Sequence, residues 1–298
     1  MAWQQISFEV AESDGERAEE VLSELGALSV TLRDAEDQPI FEPPPGATPL
    51  WARIQVVGLF DADIDMARVR RALTDAFGPS VLEALAVAPL EDRDWVRAWM
   101  DDFHPMQFGA RLWVCPSGYE PPDPSAVNLY LDPGLAFGTG THATTALCLQ
   151  WLDAHPPVDA EVIDYGCGSG ILAVAGVRLG ARHVWAVDND PQALVATRDN
   201  AQRNGVADSI DAVLPEGLPA VQADLLLANI LAGPLLDLAP VFADRVRSGG
   251  SVVLSGILEN QVQPLLQAYG RWFEMGPVVT RDGWTRLVGM RRNSVEAV

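Results

Sequence analysis

Three glycines and one aspartate have the spacing of a nucleoside-binding site. Gly166, Gly168 and Gly170 follow a short apolar run that ends at Ile163, and Asp188 follows the next apolar run, 22 residues after Gly166 (188 − 166). Closely spaced glycines let the backbone approach a ligand. A strand-end carboxylate about 20 residues further on can accept hydrogen bonds from ribose hydroxyls. The segment therefore predicts a strand, a glycine turn, a helix and a second strand that bind a nucleoside cofactor.

The order of the glycines favours one class of cofactor. They form G-x-G-x-G, whereas a pyrophosphate at a helix N-terminus is typically bound by G-x-G-x-x-G. S-adenosylmethionine has no phosphate, and its amino-acid end could occupy the turn while Asp188 accepts from its ribose. The pattern therefore favours S-adenosylmethionine over a nicotinamide dinucleotide.

Asn229 follows a strongly apolar predicted strand, 224–228. Ligands of open α/β sheets bind beyond the carboxyl ends of the strands, so we expect Asn229 to lie near the glycine turn and Asp188. Its amide oxygen could accept from the N–H groups of an attacking amine and direct the nitrogen lone pair at a methyl group, which makes Asn229 the catalytic candidate. The alternative is that Asn229 only caps a turn. Ile230 and Leu231 provide no ring to stack an extruded base, which argues for an amine on a flexible side chain.

A second glycine-rich segment, DPGLAFGTGTHATT at 132–145, precedes a predicted helix at 143–152. It could close over the cofactor, and we predict contacts from Phe137, Gly138 and Thr144. No G-K-[ST] follows, so a P-loop is disfavoured. A purely structural glycine loop is the alternative.

Other chemistries have less support in the sequence. Ser169 is not part of G-x-S-x-G because position 167 is cysteine, which disfavours a hydrolase nucleophile elbow. His142 alone is a weak candidate for a general base. The three cysteines are far apart, contain no C-x-x-C and do not cluster with the four histidines, so we predict neither a disulfide framework nor a metal site.

Composition limits the class of protein. The 298 residues, 48% of them hydrophobic, suffice for two domains. No apolar run reaches the ~20 residues of a membrane span, and residues 1–10 lack the features of a signal peptide, so we expect a cytoplasmic protein that does not bind membranes. The formal charge of −21 disfavours direct nucleic-acid binding and favours a cationic partner, although the charge could equally serve solubility alone. All 20 basic residues are arginines.

Hydrophobic periodicity predicts two α/β domains joined by a connector. Residues 1–92 have the order βαββαβ of a ferredoxin-like sandwich, with a fourth strand at 81–87. Residues 93–110 are predicted to form a linker helix. Residues 111–298 alternate strands and helices as in a doubly wound sheet, with a helix ending at Gly249–Gly250, a strand at 251–258, a helix at 260–272 and a terminal hairpin.

Four motifs together resemble the bacterial ribosomal protein L11 methyltransferase family. They are DPGLAFGTGTHATT at 132–145, DYGCGSG at 164–170, DNDP at 188–191 and ANILAGP at 228–234. The resemblance extends over nearly the whole chain. It implies a Rossmann-like class I methyltransferase domain that binds S-adenosylmethionine, with the ferredoxin-like domain presenting the substrate, ribosomal protein L11. It also implies methylation of lysine ε-amino and N-terminal α-amino groups. Ala143 is a departure, since many members have proline after the histidine.

The resemblance also assigns cofactor contacts to particular residues. Carried over by motif, these are Thr145, Gly166, Asp188 and Asn229, and we add Gly168 of the same turn. The reaction would be an in-line displacement by a neutral amine. Two other functions stay open from the residues alone: a nicotinamide oxidoreductase, and a non-catalytic assembly factor that binds a ribosomal protein.

Overall fold

A computed structural model describes residues 3–36, 50–90, 104–116, 118–131 and 142–293 of the chain. The chain divides into two compact units, Met1–Ala98 and Trp99–Val298. No helix among the described residues is long and apolar enough to cross a membrane.

The first unit is a four-stranded antiparallel sheet with two helices. The sheet order is β2-β3-β1-β4, as expected for a ferredoxin-like sandwich. Alternate residues of β1, namely Ile6, Phe8 and Val10, are buried in one core with helix residues such as Leu22 and Leu73. The elements are β1 (Trp3–Ala11), α1 (Gly15–Glu24), β2 (Ser29–Asp34), β3 (Arg53–Asp61), α2 (Met66–Phe77) and β4 (Ala86–Leu90).

Two predictions for this part of the chain need correction. The strand predicted at 81–87 is wrong in position, because Pro79–Glu83 forms a 3-10 helix and β4 begins at Ala86. Pro79 favours a helical first turn. Val81 is buried, as the apolar pattern suggested, but it belongs to this 3-10 helix and not to a strand. In the predicted linker helix 93–110, residues 93–103 lie outside the described part, and Met106–Phe108 is a strand.

The second unit contains an eight-stranded sheet and a three-stranded one. The small sheet is formed by β5 (Met106–Phe108), β6 (Leu112–Cys115) and β7 (Val127–Tyr130). The strands of the large sheet are β8 (Glu161–Tyr165), β9 (His183–Val187), β10 (Ile210–Val213), β11 (Ala223–Asn229), β12 (Val246–Leu258), β13 (Phe273–Met275), β14 (Val279–Arg281) and β15 (Trp284–Arg291). The helices are α3 (Ala143–Ala154), α4 (Ile171–Arg178), α5 (Pro191–Arg203), α6 (Ala232–Arg245) and α7 (Val262–Tyr269).

The strand order of the large sheet determines where a ligand can bind. The order is β10-β9-β8-β11-β12-β15-β13, with β14 also pairing with β15. Strands β8 to β12 are parallel, and β15 is antiparallel to β12. Successive strands proceed in one direction from β8 and in the other from β11, so the topological switch point lies between these two strands. This arrangement confirms the predicted Rossmann-like fold.

The C-terminal part of this sheet differs in detail from the prediction. Helix α6 ends at Arg245 and β12 begins at the next residue, so Gly249 and Gly250 lie within the strand instead of ending a helix. A Cβ on Gly250 would lie 2.9 Å from the Asp224 carbonyl oxygen, next to a register shift between β11 and β12. The helix predicted at 260–272 spans only α7, the hairpin of β14 and β15 is present, and β13 was not predicted.

Candidate functional site

Asp188 follows β9 and binds the glycine turn through its carboxylate. Its Oδ2 accepts from the Gly168 N–H at 2.9 Å, and its Oδ1 accepts from the Asp190 N–H at 3.0 Å. A carboxylate has about four acceptor positions, so both oxygens can accept further hydrogen bonds. Asp188 is half-buried and therefore accessible to a ligand at this edge of the sheet.

The glycine turn between β8 and α4 needs glycine for two reasons. Gly166, Gly168 and Gly170 have φ values of +77°, +53° and +76°, which side chains disfavour. In addition, a Cβ on Gly166 would overlap the Cγ2 methyl of Ile230, just after β11. The turn is held to the neighbouring strand by hydrogen bonds from Gly166 N and Cys167 N to the Val187 carbonyl oxygen, at 2.7 and 3.0 Å.

Asn229, the last residue of β11, has one satisfied and one unsatisfied polar atom. Its Nδ2 donates to the Thr145 hydroxyl at 3.2 Å. Its Oδ1 is buried and accepts no hydrogen bond from the residues that the structure describes. Buried acceptors are nearly always paired, and an unpaired one costs about 1–3 kcal/mol. This oxygen is therefore suited to accept from a bound ligand or substrate.

The first turn of α3 carries Thr144 and Thr145, both fully buried. His142 precedes the helix, and its Nδ1 lies 2.8 Å from the Thr144 hydroxyl. Burial lowers the pKa of His142. The Ser255 hydroxyl donates to the Thr144 carbonyl at 3.2 Å, and Ser255 pairs in register with Asn229. The ends of β11 and β12 thus hold this helical turn through both residues.

Two polar residues of the site were not assigned a role from the sequence. Asp164, in β8, is 1% exposed; its Oδ2 accepts from Ala173 N at 3.0 Å, and its buried Oδ1 has no described partner. Burial raises the pKa of Asp164 to about 7, and the Asp188 carboxylate adds to the rise. Ser255 is the other. Each is a polar residue within an apolar strand, and this exception to the apolar pattern could have identified both as site residues from the sequence.

A cavity of about 360 Å³ adjoins these strand ends. That volume lies within the range of small-molecule sites. Its described lining contains no basic side chain and comprises Tyr165, Gly166, Asp188, Asn189, Pro215, Ile230, Leu231, Pro234 and Leu238. Acceptors without a basic partner suit a phosphate-free, positively charged ligand such as S-adenosylmethionine better than a dinucleotide.

The structure brings most of the predicted site residues to one edge of the sheet. Gly166 and Asp188 line the cavity, Gly168 bonds to Asp188, and Asn229 bonds to Thr145 in the helical turn that contains Thr144. Phe137 and Gly138 lie outside the described residues. Within the described ranges, no group of three or more histidine, cysteine, aspartate or glutamate side chains could hold a metal ion.

Known proteins are similar in sequence to almost the whole chain. The family described as Ribosomal protein L11 methyltransferase (PrmA) matches residues 2–292. Relatives with the name Ribosomal protein L11 methyltransferase are 54% identical over 293 residues in Pseudomonas putida and 52% identical over 297 residues in Marinobacter nauticus, each covering 98% of this chain and 100% of its own.

A solved structure is similar to the chain as well. The ribosomal protein L11 methylase from Lactobacillus delbrueckii subsp. bulgaricus is 32% identical, with a TM-score of 0.57, and the match covers 64% of this chain and all of that one. The family match over nearly all residues and the relatives above 50% identity agree with the strand order and with the acceptor-lined cavity. The chain belongs to the ribosomal protein L11 methyltransferase family.

Proposed function

We propose that the chain transfers methyl groups from S-adenosylmethionine to lysine ε-amino groups and the N-terminal α-amino group of ribosomal protein L11. Family membership supports the reaction and the substrate. The observation that supports the roles of individual residues is the buried, unpaired Oδ1 of Asn229 beside the glycine turn. We further propose that the protein acts in the cytoplasm, without direct contact to nucleic acid or membrane.

The cofactor would be held by residues that follow β8 and β9 and by the first turn of α3. Asp188 would accept from the ribose hydroxyls while it keeps its hydrogen bond from Gly168. Gly166 permits close approach of the backbone, and Thr144 and Thr145 fix the neighbouring helix end. When bound, S-adenosylmethionine supplies an electrophilic methyl group on a sulfonium.

Asn229 would align the attacking amine. Because its Nδ2 is held by Thr145, its amide plane is fixed and Oδ1 has a defined direction. This oxygen accepts from a substrate N–H and strengthens that hydrogen bond as the nitrogen gains positive charge. Alignment of two reactants in this way can supply a large part of a rate enhancement.

The substrate amine must be neutral to attack. A free lysine with a pKa of about 10.4 is neutral in only about one molecule in 2,500 at pH 7. Apolar groups lower that pKa because they disfavour the charged form. Ile230, Leu231 and Pro234 provide such groups at the cavity, and Leu231 is 44% exposed. We therefore propose that the amine loses its proton to water on entering this apolar approach.

A methyl-transfer assay tests the proposal. Recombinant L11 and isotopically labelled S-adenosylmethionine are incubated with the enzyme, and label in L11 is located by mass spectrometry. Because this chain contains no lysine, any lysine that carries label belongs to the substrate. A pure assembly factor would bind L11 without transferring label, and an oxidoreductase would not bind the methyl donor in calorimetry.

Two variants separate the roles within the Asn229–Thr145 pair. Asn229→Ala should lower the maximal rate by about 100-fold at saturating cofactor, since the aligning oxygen is lost. Thr145→Val keeps that oxygen but releases the amide, so we expect a smaller loss of about tenfold. If Asn229→Ala reaches the wild-type rate once the cofactor is saturating, the alignment role is wrong.

A further inference from the structure

Helix α5 has a buried polar stripe that faces the glycine turn. Thr197, Asn200 and Asn204 are 0%, 8% and 6% exposed and follow each other at spacings of three and four, which places them on one side of the helix, with Asn204 as the C-cap residue directly after it. Leu194 and Ala201 of the same helix are buried in the apolar core. Apolar residues would suffice to pack this helix on the sheet, and buried polar groups are costly unless each finds a partner.

Thr197 binds the turn directly. Its hydroxyl donates to the Gly168 carbonyl oxygen at 3.1 Å and lies 3.3 Å from the Cys167 sulfur. Contact is close, since a Cβ on Gly170 would lie 2.8 Å from two Thr197 side-chain atoms. Because the peptide group is planar, holding the Gly168 carbonyl also fixes the direction of the following N–H.

Asn200 and Asn204 extend this network to a second segment. Asn200 Nδ2 donates to the Ser169 carbonyl at 2.8 Å. Asn204 Nδ2 donates to the Asn200 and Tyr130 carbonyls, each at 2.8 Å, and its Oδ1 accepts from Tyr130 N at 2.7 Å. Asn204 therefore pairs with both backbone groups of the last residue of β7, just before the glycine-rich segment 132–145. One helical face thus holds the glycine turn and the end of β7.

We propose that Thr197, Asn200 and Asn204 are positioning residues that set the affinity for the methyl donor. They hold the two segments in the binding arrangement before the cofactor arrives, so less ordering accompanies binding. None of the three lines the described cavity, so they act through the backbone of the turn and of β7. This inference rests on the proposed function, in that the glycine turn is taken as the cofactor site.

The test compares variants of Thr197 by calorimetry with S-adenosylmethionine. Thr197→Val keeps the shape but loses the hydroxyl, and we expect the dissociation constant to rise about five- to tenfold. Thr197→Ser keeps the hydroxyl and should stay within about twofold of the wild type. The rate of methyl transfer at saturating cofactor should be nearly unchanged in both, because Asn229 is not affected.

Ala201→Gly is the matched control for stability. It lies on the same helix, forms none of these hydrogen bonds and should cost about as much folding stability as a lost hydrogen bond. Its dissociation constant should equal that of the wild type. Asn204→Ala provides a second variant, in which the dissociation constant should also rise.

The outcomes separate the two levels of the proposal. If the wild type does not bind S-adenosylmethionine, the proposed function is wrong. If the wild type binds and Thr197→Val and Asn204→Ala bind equally well, the positioning role is wrong. The positioning role is also wrong if Ala201→Gly and Thr197→Val lose the same folding stability and weaken binding by the same factor.

Discussion

The two units differ in what they bury. Eleven polar or charged side chains are buried among the described residues, and all of them belong to the second unit. The described core of the first unit consists of apolar side chains from its strands and helices. Buried polar groups cost stability unless they are paired, so a domain that needs only a stable fold has no use for them.

The buried polar residues of the second unit are concentrated near one edge of its sheet. Thr144, Thr145, Asp164 and Ser255 lie at or next to the strand ends, and the stripe of Thr197, Asn200 and Asn204 faces the glycine turn. The contrast indicates that the buried polar groups of the second unit serve its ligand-binding edge, whereas the described core of the first unit is apolar. We propose that the first unit contributes substrate recognition.

Removal of the first unit is the strongest test of this contrast. A chain that starts at Asp94 should bind S-adenosylmethionine with near-native affinity but lose about 100-fold or more of its methyl transfer to intact L11, because docking no longer raises the local substrate concentration. Transfer to a short lysine peptide should fall much less. Loss of cofactor binding in a folded truncated chain, or full activity on intact L11, would contradict the division of roles.

Gly166→Ala should be strongly destabilising. The positive φ and the overlap with Ile230 together should lower the free energy of unfolding by about 2–4 kcal/mol. Gly205→Ala is the matched control, since Gly205 has φ +67° and open space around its Cβ position, and there we expect only about 1–2 kcal/mol. Equal losses in urea denaturation would show that the contact with Ile230 does not matter.

Asp188→Ala should weaken cofactor binding by about 10- to 150-fold, which corresponds to about 1.5–3 kcal/mol for lost charge-assisted hydrogen bonds. The first unit offers a comparison in Asp65, which caps α2 by accepting from the N–H groups of Ala67 and Arg68. Asp65→Ala should lower stability by about 1 kcal/mol and leave the dissociation constant unchanged. An unchanged constant in Asp188→Ala would sink the ribose assignment.

Asp164 should make the stability of the second unit depend on pH. Its pKa is about 7 in the folded state, above that of an exposed aspartate, so the folded state binds more protons and stability should decline as pH rises from about 4 to 7. An asparagine at this position would not ionise, so Asp164→Asn should remove this decline, and the free energy of unfolding of the variant should rise relative to that of the wild type between pH 4 and pH 7. Urea titrations of both proteins across this range measure the difference, and parallel curves would contradict it.

The sequence predicts the strands and helices well where hydrophobic periodicity is strong. It fails where pairing between segments, or a proline that begins a helical turn, decides the outcome. Phe273–Met275 is only three residues long and becomes a strand because it pairs with β15. Pro79 gives a local helical turn where the apolar pattern alone indicates a strand.

The site was predicted in part for the same reason. The glycine turn, Asp188 and Asn229 have local signals, namely spacing and position at the end of an apolar run. Asn200 and Asn204 resemble ordinary surface residues of an amphipathic helix, and only the packing of α5 against the turn shows that they are buried. Nothing in the sequence indicates that Asn229 Nδ2 is bound to Thr145 and that Oδ1 is left without a partner.

The hydrogen bonds around α3 also bear on the order of folding. Asn229 reaches Thr145 across 84 positions, Ser255 reaches Thr144 across 111, and Arg286 donates to the Leu147 carbonyl across 139. Contacts of such separation require closure of long loops before they contribute any stability. During synthesis, the hydrogen bond from Arg286 can form only after β15 has left the ribosome, so the contacts of α3 with the sheet are completed late.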